Sequence, residues 1–160
     1  MKRYVAAGIV VGSLAALVAG IFATGSAQQM SADDIVAERQ RVMKLNGASW
    51  QDAQAKLKAG SIEAVAVNAE TMAMMAREIP KLFPAGSMND KSKAKPEIWQ
   101  KWPEFEAAAK NLRTQAEKLR DTAKTGDAAS TQAVVQTFGR NACGTCHQPF
   151  RVPPPPQPQR

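Results

Sequence analysis

The chain has 160 residues, a normal 44% hydrophobic content but only 6% aromatic residues, and a net charge of +7 from 21 basic and 14 acidic side chains. One domain fits that length, and an alanine-rich, aromatic-poor composition favours helices over sheet. Two cysteines and a single histidine exclude a closed four-ligand zinc site, a multi-disulfide scaffold, and any Cys–His or Ser–His–Asp chemistry away from that one histidine.

Lys2 and Arg3 precede an apolar run from Tyr4 to Phe22, which is followed by the small residues Gly25, Ser26 and Ala27. This is the three-part layout of a secretory signal, so residues 1–27 read as a signal peptide cut after Ala27. The run is also nearly long enough to stay in a bilayer as an uncleaved anchor, the one route by which this chain would meet a membrane. Both readings export the globular part, residues 28–151, and place it in the periplasm. Nucleic acid is then not an expected partner, and the surplus positive charge reads as a bias toward anionic partners.

Ser31 is placed to cap a first helix whose opening turn carries Asp33 and Asp34, both favourable near the positive end of the helix dipole. Ile35, Val42, Met43, Trp50, Ala53 and Leu57 recur at helical spacing as far as Gly60. Ser61 is expected to cap the second helix, whose stripe runs from Ile62 through Val65, Ala69, Met72 and Ala76 to Ile79, with Pro80 and Pro84 marking the exit. The stretch from Phe83 to Trp102 is the least regular. It holds Lys91, Lys93 and Lys95, with one helical turn expected at Pro96-Glu97-Ile98-Trp99. Pro103 opens a third helix with Phe105, Ala109, Leu112, Ala116 and Leu119 on one face, ended by Gly126. Asp127 starts a fourth, which carries Val134, Val135, Phe138 and Ala142 into Cys143. No segment sustains two-residue alternation, so the predicted fold is all-α, an antiparallel four-helix bundle. Residues 152–160 form a proline-rich tail that cannot be helical and reads as a disordered end.

Both cysteines and the histidine fall in one pentapeptide, Cys143-Gly144-Thr145-Cys146-His147. C-x-x-C-H is the attachment site of a c-type haem: the two thiols add across the two vinyl groups and the adjacent imidazole reaches the iron. A plain disulfide would leave the histidine without a role, and a thioredoxin-like dithiol expects a βαβ context that is missing here. One covalent haem c is therefore the expected cofactor, with Cys143 and Cys146 as its anchors and His147 as an iron ligand. A large flat apolar group also fits between alanine-lined helices.

A CxxCH at the end of the fourth helix, followed by Phe150-Arg151, resembles the class II cytochromes c, the cytochrome c-prime family. Arg39-Gln40 with Met43 in the first helix, Lys95-Pro96-Glu97-Ile98-Trp99, and Gly126-Asp127 resemble family positions as well, over roughly residues 32–151. The family divides on what faces the iron opposite the histidine. A Met from the first helix gives a six-coordinate, low-spin electron carrier, whereas an apolar residue gives a five-coordinate form that binds nitric oxide or carbon monoxide. Periodicity alone does not separate Met43 from Met72, Met74 and Met75 as a second ligand. The resemblance implies Met43, and hence the low-spin branch. It further implies that Arg39 points toward the haem edge, where a guanidinium matches a propionate, and that Gln40 and Arg151 lie in the haem pocket. Trp99 and Phe138 are expected to be core aromatics that also touch the porphyrin. The implied function is single-electron transfer with redox partner proteins, without substrate chemistry, in a chain able to form a homodimer. The gas-binding form is the alternative.

Overall fold

The computed structural model of the chain describes residues 30–155. The signal segment 1–27 lies outside the described residues, as do residues 156–160 of the tail. Among the described residues no helix is long and apolar enough to cross a membrane.

The first helix, α1 (Ala32–Lys58), starts where the sequence places it: the Ser31 hydroxyl accepts the Asp34 backbone N–H at 3.1 Å. Its end is a two-bond cap in which Gly60, at φ 78°, donates to Leu57 and Ser61 donates to Lys56. That geometry corrects the expected start of the second helix. The Ser61 backbone N–H belongs to the end of α1, so a turn intervenes and α2 runs Val65–Glu78, without a side-chain cap. A short 3₁₀ turn, Pro80–Leu82, leads into the irregular link. The helical turn expected after Pro96 is α3 (Glu97–Gln100), and α4 (Trp102–Ala123) carries Pro103 in its first turn.

The fourth helix is composite. Asp127 caps α5 (Ala128–Phe138) by accepting the Ser130 N–H at 2.6 Å. The helix then widens into a π-turn, Gly139–Gly144, and resumes as α6 (Thr145–Phe150). It therefore continues well past Cys143. Beyond it, Val152 donates to the Lys93 carbonyl at 2.8 Å and Lys95 donates to that of Phe150 at 2.9 Å, which pins the chain end to the link.

Two apolar clusters follow from these faces. In the first, alanines at 53, 66, 69, 73, 116 and 123 let α1, α2 and α4 approach closely around Met72, Leu119 and Phe138. Phe138 stacks on Trp50 with centroids 4.7 Å apart. The second cluster centres on Phe105, which meets Phe83 at 4.8 Å and Phe150 edge-on at 5.5 Å. This cluster lies at the bundle end where the long link crosses.

Acid should loosen the fold in a specific window. Hydrogen bonds from Lys56 and Asn68 hold the Asp52 carboxyl below its ordinary range, Arg113 does so for Glu117, and the helix-capping bonds do so for Asp127. A carboxylate whose folded pKa is depressed stabilises the fold above its unfolded pKa, and that contribution is lost as pH falls through the folded value. Thermal melts should thus give a flat midpoint from pH 7 to about 5 and a falling one below about 4.

Candidate cofactor site

A cleft of about 320 Å³ opens at the end of the bundle that holds the Phe105 cluster. Its walls are mostly apolar, built from Val36, Ile79, Phe83, Ile98, Phe105 and Phe150. Met43 of α1 and His147 of α6 both line it, and these two helices do not pack on each other, so the cleft lies between them. Cys146 lines it as well, while Cys143, one turn back on the π-turn, is half-buried against the first cluster.

The chemistry of this donor set fits a covalent haem. Both cysteines are free. Burial pushes the Cys143 thiol up, and burial together with its neighbour pushes Cys146 to about 11. Each sulfur is therefore a neutral thiol at neutral pH, and neither is taken up in a disulfide. Burial, and secondarily the charge of Arg151, push the His147 imidazole below its ordinary pKa. A neutral imidazole keeps the lone pair that a metal needs. A soft thioether from the facing helix completes a set suited to haem iron.

The structure sorts the remaining expected residues. Gln40 and Arg151 line the cleft. Arg39 lines it too, but at 5% exposure it is a buried cation rather than a surface one. Its Nε donates to the Leu82 carbonyl, Nη1 to the Ser87 carbonyl at 2.8 Å, and Nη2 to the Ser87 hydroxyl. Its guanidinium carbon lies 4.0 Å from the centre of the Phe83 ring. Burial lowers its pKa to about 10, so it stays charged at neutral pH. Trp99 and Phe138 do not line the cleft. The Trp99 indole donates to the Phe83 carbonyl at 2.9 Å and steadies the link, and Phe138 belongs to the other cluster. Sequence reasoning missed Val36, Ile79 and Lys44 as cleft residues. Lys44 was adjacent to Met43 and Ile79 closed the α2 stripe, but neither position is marked by residue type.

The π-turn has its own support. A π-turn shifts the backbone pattern from i→i+4 to i→i+5, and side chains bond to carbonyls along it. Asn111 of α4 donates its side-chain amide to the Asn141 carbonyl, and the Thr145 hydroxyl donates to that of Ala142 at 3.2 Å. Asn111→Leu removes the amide. It should cost about 1 kcal/mol of stability and lower the fraction of purified chains that carry both thioether bonds, as read by mass spectrometry.

Known proteins resemble this chain over most of its length. A family model described as Cytochrome C′ matches residues 34–151. The chain is 36% identical over 121 residues to cytochrome c-556 of Agrobacterium fabrum, covering 73% of this chain and 80% of that protein. It is 30% identical over 141 residues to cytochrome c′ of Rhodopseudomonas palustris, covering 86% and 94%. Among solved structures, a cytochrome c′ with a ligand-controlled dimer dissociation superposes with a TM-score of 0.70 at 25% identity, covering 78% of this chain and 98% of that one. Cytochrome c′ from Rubrivivax gelatinosus gives 0.65 at 25% identity, covering 76% and 98%.

Proposed function

This chain belongs to the cytochrome c′ family, and from that premise we propose that it is an exported single-electron carrier whose haem iron is held between His147 and Met43. The family carries covalent haem c, and its members carry electrons or bind small gases. One observation supports the finer reading: Met43 and His147 line the same cleft from two helices, with Met72 buried in the apolar cluster that the cleft does not reach.

Bound haem supplies a one-electron ferric–ferrous couple. Cys143 and Cys146 would hold it by thioether bonds from α6 and the π-turn before it. His147 would offer the iron a neutral nitrogen from α6 and Met43 a thioether from α1, and ligands kept in both redox states would leave little to reorganise when charge changes. Ile79, Phe83, Ile98, Phe105 and Phe150, which line the cleft, would keep water from the bound group. Arg39 holds the Leu82–Ser87 segment as one wall.

Export to the periplasm belongs to the same reading, supported by the N-terminal layout of residues 1–27. Redox proteins are the proposed partners, with no substrate chemistry. The dimeric solved relative supports a homodimer as the assembly. Optical spectra of the native protein in both redox states test the ligation. A low-spin ferric form with a thioether-to-iron charge-transfer band is expected, while a high-spin form that binds carbon monoxide readily would establish the gas-binding reading instead.

A further inference from the structure

The haem site leaves one feature of the sequence without a part, the tail 152–160. Five of its nine residues are proline: Pro153, Pro154, Pro155, Pro156 and Pro158. That composition favours a polyproline helix, which makes no internal hydrogen bonds. Proline has no backbone N–H, so such a segment offers carbonyl acceptors and apolar rings and almost no donors.

A second depression, of about 430 Å³, shares Phe83 with the cofactor cleft. Pro80, Phe83 and Pro84 line it from the exit of α2, and Trp99 and Trp102 from the junction of α3 and α4. The Trp99 ring is fixed by its own N–H, which donates to the carbonyls of Phe83 and Pro84 at 2.9 and 3.2 Å. Trp102 is half-buried, with its ring centre 5.5 Å from that of Phe105. Its indole N–H has no acceptor among the described residues, unlike that of Trp99. Two indoles and a spare donor on an open groove complement a proline-rich segment, which docks on aromatic walls at low entropic cost because it is already extended.

We propose that residues 156–160 of this chain occupy the groove at Trp99 and Trp102, with a tail carbonyl accepting the Trp102 indole N–H. The place where the tail leaves the bundle supports its own chain as the occupant. Val152 is held on the Lys93 carbonyl at 2.8 Å, and residues 152–155 beyond that bond are exposed. The tail departs antiparallel to the link, with Ala94 facing Arg151, so it runs toward earlier residues of a link that begins at groove residue Pro84. From Lys93 to Trp99 the chain covers at most about 16 Å, three extended residues and one helical turn. The eight residues after Val152 span about 25 Å as a polyproline helix, so residues 152–155 serve as the reach. The docked tail straps the start of the link to α4 and backs the Phe83 wall of the cofactor cleft. Neither Met43 nor His147 lines the groove, so the strap is independent of how the iron is ligated.

Hydroxyl-radical footprinting of the full-length haem protein, read by mass spectrometry, tests the strap through Trp102, with Trp50 as the internal reference. Pro155→Ser, Pro156→Ser and Pro158→Ser combined keep the length and charge of the tail but remove its stiffness. Trp102 should then oxidise roughly three-fold faster, the ratio expected when a docked population of about two-thirds is lost, while Trp50 should not change. A chain ending at Pro155 keeps every described residue and should show the same rise, and a synthetic peptide of residues 152–160 added in excess should reverse it. Dilution of the full-length protein should leave Trp102 protected, because the tail occupies the groove of its own chain. Equal oxidation of Trp102 in the parent and both variants would overturn the strap. Protection that fades on dilution would overturn the own-chain occupant and place the tail in the groove of a second copy. Protection kept by the serine-substituted tail would overturn recognition of a polyproline segment.

Discussion

Met43→Leu should convert the ferric protein from six-coordinate low spin to five-coordinate high spin, remove the thioether-to-iron charge-transfer band, and open the iron to carbon monoxide. Leu keeps the apolar volume of Met and repacks at a cost below about 1.5 kcal/mol, so the bundle should persist and the change can be read at the iron alone. With Met43 on the iron, as proposed, a gas would have to wait for the thioether to leave. If the open form is about 1% of the population, its affinity is reduced about 100-fold, and the variant should recover that factor. The midpoint potential should fall by roughly 0.1–0.2 V, a modest share of the ~0.8 V over which axial ligands tune haem. Optical spectra, titration with carbon monoxide and potentiometry check these four effects. An unchanged spin state in Met43→Leu would remove Met43 from the iron.

The second large effect belongs to Arg39. Arg39→Ala should destabilise the fold by about 2–3 kcal/mol, the scale of losing hydrogen bonds from a charged donor and leaving their acceptors unsatisfied. The carbonyls of Leu82 and Ser87 lose their donors, and Phe83 loses the guanidinium over its ring. Arg39→Lys should recover only part of this, because an ammonium cannot place three donors along the Leu82–Ser87 segment in a fixed plane. Urea melts give the stability, and hydrogen exchange should show faster opening of the link from Phe83 to Lys95 than of α4. Near-parental stability in Arg39→Ala would return Arg39 to the role its sequence neighbourhood implied, a side chain held chiefly for a propionate.

These two residues show how far the sequence carries. The four helices and most of their ends were legible because caps and apolar spacing are local: Ser31, Gly60, Gly126 and Asp127 act on backbone within a few residues. Ser61 misled because its side chain advertised a cap, while the residues after it form a tighter turn closed by the Val65 N–H on the Ile62 carbonyl before α2 begins. Cysteine and histidine spacing announced the cofactor, since that chemistry is carried inside five residues. Met43 was different. Spacing puts Met43 and Met72 each on an apolar stripe, and only the crossing of helices decides that one meets a cleft and the other a packed interior. Arg39 was least legible of all. Its acceptors lie 43 and 48 residues away, and no local rule connects a charged side chain on a helix to carbonyls that a distant link will leave bare.

The π-turn between α5 and α6 changes what chain length means at the site. Along α5 and into the π-turn the buried positions advance as Thr131, Val135, Phe138 and Ala142, and an unbroken α-helix would bring Thr145 and then Pro149 inward; instead both are exposed and Phe150 is buried. The helix has been set back by one residue, which is a rotation of about 100° at 3.6 residues per turn. The angle at which His147 faces the cleft is therefore encoded by a residue count rather than by a residue type. A single deletion between Gly139 and Ala142 would leave the attachment motif intact in composition and spacing, yet turn it as a unit away from Met43.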